Sequence, residues 1–327
     1  MHNSLSHDFI SGGVAGLMAT AISLGVTQCF IDLPLLALIL GCIISIPIFL
    51  TAFNSGTYSS IFAGVVAIVL IGLLKGPLLA TIFGMVFFLP AIIAAWLLGL
   101  ANIDEQTDKL KWLPLASAFS FLTIFIAIVA IFIGLMLSNN PSTPIIAGVV
   151  ADTVIRALTD ANWENFDANA FNDMRLMIIN GFVPLVASVT GIYSLIFLVG
   201  NLYLSSVAAR KLGHLKRPRD DWPQDLRLTG LAVIIFIVAF IISQITSQTF
   251  ISIAAFIISS IFSFGFTIVG FAYLHNLLKP LRYRHLLLLI IYGATFSLIF
   301  TLPISIVVLM MGIWGSFQYA KQQRQKT

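Results

Sequence analysis

Residues 232–242 read AVIIFIVAFII, a run without a single polar side chain. A strand of a membrane barrel alternates lipid-facing with lumen-facing residues, and this run shows no alternation. In hydrocarbon every backbone N–H and C=O must be paired within the segment that carries it, which makes helix the default. The rest of the chain decides whether that environment is general.

Of the 327 residues, 59% are hydrophobic and 9% are charged, against roughly 25% charged in soluble domains. Ten apolar segments can be drawn, at 11–28, 33–52, 57–74, 77–100, 113–137, 177–208, 229–246, 250–277, 286–300 and 302–317. A spanning helix needs about 20 apolar residues. The expected fold class is therefore an all-α polytopic transmembrane bundle of about ten spans, eight at the fewest, in one domain over 1–327. Turn chemistry at Asp32 to Pro34, Asn54 to Gly56 and Gly76-Pro77 joins neighbouring helices as antiparallel hairpins. The run 286–317 would be about 48 Å long as one helix, against a hydrocarbon core of about 30 Å. Thr301-Leu302-Pro303 offers a breakpoint. Two short helices are expected there, with one kinked helix as the alternative.

Basic residues set the orientation. With the N-terminus inside, 14 of the 17 Lys and Arg residues fall inside: Lys109, Lys111, the cluster Arg210 to Arg227, the cluster Lys279 to Arg284, and the tail Lys321 to Lys326. Lys75, Arg156 and Arg175 fall outside. Both termini are expected in the cytoplasm, and the protein in the cell's inner (plasma) membrane. The stretch MHNSLSHDFISGG carries no Lys or Arg ahead of the first apolar segment, so that segment reads as a retained span and not a cleaved signal. The net charge of +4 sits in short clusters between spans, so the bilayer is the expected partner and nucleic acid is not. Cys29 and Cys42 are too few for a disulfide framework and read as small apolar fillers.

One long outer segment, 138–176, breaks the pattern. Ser142 or Thr143 before Pro144 is a helix start. Ile146, Val149, Val150, Val154 and Leu158 then recur at helical spacing, with Asp152, Arg156 and Asp160 on the other face. The segment reads as an amphipathic helix that lies at the interface or dips into a cavity mouth, followed by the acidic, aromatic stretch DANWENFDANAFND. It rests on the bilayer as a solvated loop or acts as a lid over a site.

Four further features are candidates. In the first span Gly12, Ala15, Gly16 and Ala19 put small residues on one helix face, for close packing inside the bundle or for docking another protein. Polar groups inside apolar runs are functional candidates in membranes. Here they are Asn180, Asn201, Gln244 with Gln248, and His275, with no Asp or Glu deep in any segment. For Asn201 an interhelical hydrogen bond is the plainer reading, and for His275 interfacial packing near Lys279. The inner loop 210–228, RKLGHLKRPRDDWPQDLRL, offers Lys216, Arg217 and Arg219 to lipid headgroups or to a cytoplasmic partner. Nothing has the form of HExxH, GxSxG, a P-loop or CxxC, and metal-ligand spacing is absent. No catalytic residue, metal or cofactor is expected, nor an enzyme.

Several stretches resemble the YybS-like family of bacterial multi-spanning membrane proteins, a domain of unknown function. They are GGVAGLMATA, then DLPLLALI and IPIFLTAFNSG; GNLYLSSVAARKLG followed by KRPRDDWPQDLRL; and GFTIVGFAYLH. Together they extend over 11–317. Thr229 stands where the resemblance leads one to expect Pro, and Trp314-Gly315-Ser316-Phe317 lacks the family's acid. The family is in turn remotely similar to the substrate-binding subunits of energy-coupling-factor vitamin transporters. Those dock a transmembrane coupling subunit through an Ala-xxx-Ala face, which Ala15 and Ala19 match.

Two functions follow as expectations. One is a transport-related protein that binds a small molecule, with a transmembrane or ATPase coupling subunit as partner. The other is a scaffold or assembly factor that holds a protein partner.

Overall fold

The structure is a computed structural model that describes residues 2–103, 110–160, 168–213, 215, 217–245, 250–295, 297 and 301–324. It is an all-α bundle. The chain runs α1 (His2–Asp32), α2 (Pro34–Gly41), α3 (Ile46–Ser55), α4 (Thr57–Lys75), α5 (Pro77–Phe83), a π-helical turn (Gly84–Phe88) and α6 (Leu89–Gly99). A two-stranded antiparallel hairpin follows, β1 (Ala101–Ile103) with β2 (Leu110–Trp112), Asn102 opposite Lys111. Then come α7 (Leu115–Ser138), α8 (Thr143–Asp160), α9 (Ala168–Lys211), the single turn α10 (Trp222–Asp225), α11 (Gly230–Ile245), α12 (Phe250–Leu277), α13 (Arg284–Thr295) and α14 (Thr301–Arg324).

Among the described residues, eight stretches are long and apolar enough to cross a membrane: Phe9–Asp32, Pro34–Ser55, Thr57–Lys75, Pro77–Gly99, Leu115–Ser138, Asn169–Lys211, Phe250–Leu277 and Thr301–Gln323. The two remaining apolar segments form the shorter helices α11 and α13. Prolines at the starts of α2, α3, α5 and α6 sit where a helix has no use for the missing N–H. Gly56 and Gly76 adopt φ of 94° and 95°, the left-handed region that only glycine enters without strain. They make the tight turns on either side of α4. The run does divide into two helices, α13 and α14, but the division falls between Thr295 and Thr301, and Thr301-Leu302-Pro303 forms the first turn of α14.

Contacts fix which ends share a side. Tyr273 near the end of α12 meets Gln318 near the end of α14 through a 3.3 Å hydrogen bond. Leu228 donates its backbone N–H to Ser316 Oγ at 3.3 Å. The ends of α12 and α14 therefore lie together with the 217–229 loop, and the chain between Leu277 and Thr301 returns across the bundle. Arg217 Nη1 donates to the Leu98 carbonyl at 3.4 Å, which puts the end of α6 on the same side. By alternation so are Ser55 and Ser11, joined at 3.1 Å. This is the loop side, and the other is the far side.

Small residues allow the closest crossings. A Cβ on Gly12 would lie 2.7 Å from the Ser59 carbonyl oxygen, and one on Gly16 2.7 Å from that of Ala63. Ala15 and Ala19 are buried on the same face. Gly12 and Gly16 of the first span are thus met by α4 of the same chain, while Ala15 lines a groove with Ile46, Pro47 and Leu50 of α3. An unforeseen crossing joins α12 to α14. A Cβ on Gly270 would overlap the Val308 carbonyl, and one on Gly312 the Phe266 carbonyl. Without side chains between them, the backbones approach to van der Waals contact.

The outer segment differs from expectation in one respect. At 44 residues α9 is about 66 Å long at 1.5 Å per residue. Its first turns take up Ala168 to Asp173, which reads as loop in the sequence; 161–167 lie outside the described residues. In α8 the buried residues are Thr143, Ala147 and Ala151, while Ile145, Ile146, Val149, Val150 and Val154 stay exposed. The small stripe faces α9, clasped by Arg175 Nε donating to Asp152 Oδ1 at 2.7 Å, and the apolar stripe faces outward.

Candidate functional site

Asn201 is fully buried at a place where two spans lose helical regularity. The second span breaks between Gly41 and Ile46, which frees the Ser45 N–H and leaves the Gly41 carbonyl with a long 3.4 Å bond from the Ile44 N–H. Asn201 Nδ2 donates to Gly41 O at 3.1 Å, and Asn201 Oδ1 accepts from Ser45 N at 3.1 Å. The fourth span carries the π-helical turn 84–88, where carbonyls also lose their usual partners. Ser194 Oγ donates to Val86 O at 2.6 Å and Ser45 Oγ to Phe87 O at 3.2 Å. Broken helices hold ligands in many transporters. Here side chains from α9 and from Ser45, just ahead of α3, occupy those positions, and Asn201 is a structural staple.

Of the other intramembrane candidates, Asn180 is exposed near the start of α9. Gln244 is exposed at the end of α11, its Nε2 donating to Ser243 Oγ at 3.3 Å. Gln248 lies outside the described residues. His275 lines a cavity.

That cavity is a cleft on the loop side with a volume of about 810 Å³. Its first wall is the end of α9. Tyr203, Ser206, Val207, Arg210 and Lys211 recur at spacings of three and four, so they share one helix face. The second wall is the loop Arg219 to Pro223, including Trp222, whose ring meets Tyr203 edge-on at 5.2 Å between centroids. The third is the end of α12, with His275 and Lys279 one turn apart, and the fourth is α13, with Arg284, His285 and Leu288.

Five cations therefore converge: Arg210, Lys211, Arg219, Lys279 and Arg284. The cleft's two carboxylates are already engaged. Asp220 takes both oxygens to Arg217, each at 2.8 Å, and Asp221 binds Lys279 Nζ at 2.5 Å. Among the described residues Arg210, Lys211, Arg219 and Arg284 form no ion pair. His275 Nε2 shares a 2.9 Å hydrogen bond with Tyr292 Oη. Cations gathered without counter-charge raise the local potential and draw in anions.

Of the three basic residues expected to act together, the structure separates two and leaves one outside. Arg219 lines the cleft. Arg217 is 8% exposed and ties the loop to α6 through Leu98. Lys216 lies outside the described residues. Arg227 is likewise internal. Its Nη atoms donate to Leu226 O at 2.7 Å and Pro223 O at 2.9 Å, and its guanidinium lies 5.3 Å from the Tyr273 ring centre. Burial lowers its pKa, with Tyr273 opposing. Burial also raises the Asp225 carboxyl above the usual carboxylate value. Thr229, in place of the expected proline, donates its backbone N–H to Ser120 Oγ at 2.8 Å, a bond proline cannot make.

Fold and site together define a polytopic α-helical membrane protein with a basic cleft at one membrane face. The chain belongs to the family described as a predicted membrane protein, DUF2232, whose model matches residues 19–314. No curated protein and no solved structure matches it.

Proposed function

We propose that the protein is a membrane-embedded binding protein that takes an anionic ligand in the loop-side cleft. The observation that carries this is the convergence of Arg210, Lys211, Arg219 and Arg284 without carboxylate partners among the described residues. The volume supports it, falling within the range of about 300–1,000 Å³ common to small-molecule sites. The positive-inside rule puts this side in the cytoplasm of a cell whose plasma membrane holds the protein.

Of the two roles expected from the sequence, the transport-related one keeps its binding half. The ligand-handling chemistry is at the cytoplasmic mouth and not at mid-membrane, because Asn201 and Ser194 serve the backbone. A coupling subunit would find Gly12 and Gly16 held by α4 and Ala15 in a groove against α3. It would meet the exposed Val14, Leu17 and Met18 of α1 instead. Binding without bond chemistry fits a cleft that pairs cations with aromatics.

A thermal-shift titration tests the reading. Binding at one hundred times Kd stabilises the native state by about 2.7 kcal/mol. Purified protein in neutral detergent should melt higher with pyrophosphate, and the double variant Arg210→Gln, Arg219→Gln should lose that gain. If pyrophosphate, sulfate and citrate all leave the melting temperature unchanged, the proposal is wrong.

A further inference from the structure

We infer that the group the cleft holds is a phosphate carried by an amphiphile, with the headgroup among the cations and the tail in the bilayer. The inference rests on the anion-binding reading above and adds the chemical class. Charge is its first support. Four cations stand without carboxylate partners among the described residues. One carboxylate would leave most of that charge uncompensated. A phosphomonoester brings about −1.5 to −2 at neutral pH, and a diphosphate more.

Geometry is the second. Three of the four are arginines, from α9, the 219–223 loop and α13. Their planar guanidinium groups match phosphate oxygens two at a time. Approaching from separate elements, they can surround a tetrahedral group as they could not a planar carboxylate. Ser206 and the ring of His275 add polar groups to the same lining.

The third support is where the cleft opens. It lies between α9 and α13, which are not in extended contact with each other. Each carries exposed apolar residues beside its cleft-facing ones: Leu204 on α9, and Leu286, Leu289 and Ile290 on α13. Tyr203 and Trp222 line the cleft, and aromatics of this kind are enriched where hydrocarbon meets headgroups. A soluble anion has no use for such flanks, whereas an acyl chain does.

The test uses the full chain in nanodiscs of phosphatidylcholine, doped with phosphatidic acid, with oleate, or supplemented with soluble pyrophosphate. Ligand retained on the protein is counted by native mass spectrometry. Phosphatidic acid should be retained at least tenfold better than oleate and should displace pyrophosphate. Arg219→Gln and Arg284→Gln should each lower its retention about tenfold, while Lys75→Gln, on the far side, should leave it unchanged. Equal retention of oleate and phosphatidic acid overturns the phosphate assignment alone. Pyrophosphate bound as tightly as phosphatidic acid overturns the amphiphile. Retention of none of the three overturns the anion-binding reading with it.

Discussion

Asn201 and Arg210 belong to the same face-to-face system of α9 with its neighbours, yet they meet opposite situations. Asn201 sits where two spans break their helical pattern, and its amide bonds both ends of the gap at Gly41 and Ser45. Arg210 sits in a cleft whose carboxylates are engaged by Arg217 and Lys279. One place is polar and closed, the other charged and open. A polar residue deep in a membrane protein therefore marks function only once its partners have been counted. Where the chain itself supplies every partner, the residue is holding the fold. Where like charges gather without partners, something from outside is wanted.

The contrast can be broken in order of effect. The largest loss should come from the fold alone. Gly312→Ala pushes a Cβ onto the Phe266 carbonyl, and separating α12 from α14 should cost about 3 kcal/mol, read as a lowered melting temperature in detergent. Asn201→Leu comes next. It leaves the buried Ser45 N–H unpaired and the Gly41 carbonyl with only the long bond from Ile44, at about 1–3 kcal/mol, and protein that remains folded should bind anions as wild type does. Arg219→Gln should do the reverse, changing stability by no more than about 0.5 kcal/mol while weakening anion binding. If Asn201→Leu abolishes binding in folded protein, or Arg219→Gln unfolds it, the division between the two places is wrong.

The smallest effect concerns the far side. Arg175 Nε donates to Asp152, which holds that carboxyl below its ordinary value of 3.8. The clasp between α8 and α9 is thus complete above 3.8 and is lost as pH falls through the lowered value. A spin-label pair across α8 and α9 should broaden only at strongly acidic pH, and broadening near neutrality would show that the clasp is not what holds α8.

The membrane fold was legible because apolar run length has a direct physical meaning in lipid. So were the turns at Gly56 and Gly76 and the break before Thr301, each marked by glycine or proline. Asn201 was legible as an interhelical bond, but not its target. The break after Gly41 lies in an unbroken apolar run and shows only as Gly41 and Pro47. The α12–α14 crossing was hidden because one glycine comes from each helix, although Gly312 and Ser316 do stand four apart. The cleft was half visible. Arg210 to Arg227 and Lys279 to Arg284 read as two clusters on one side of the membrane. Only the packing of α9, α12 and α13 brings members of both to one cavity and turns Arg217 and Arg227 away from it.

Trp222 lines the cleft and gives the most direct test that it binds an anion. Tryptophan emission is recorded while pyrophosphate is titrated into the wild type and into Trp222→Phe. The account predicts a saturable change in the wild type that weakens as salt rises and is absent from Trp222→Phe. No change in the wild type, or the same change in both proteins, would contradict it.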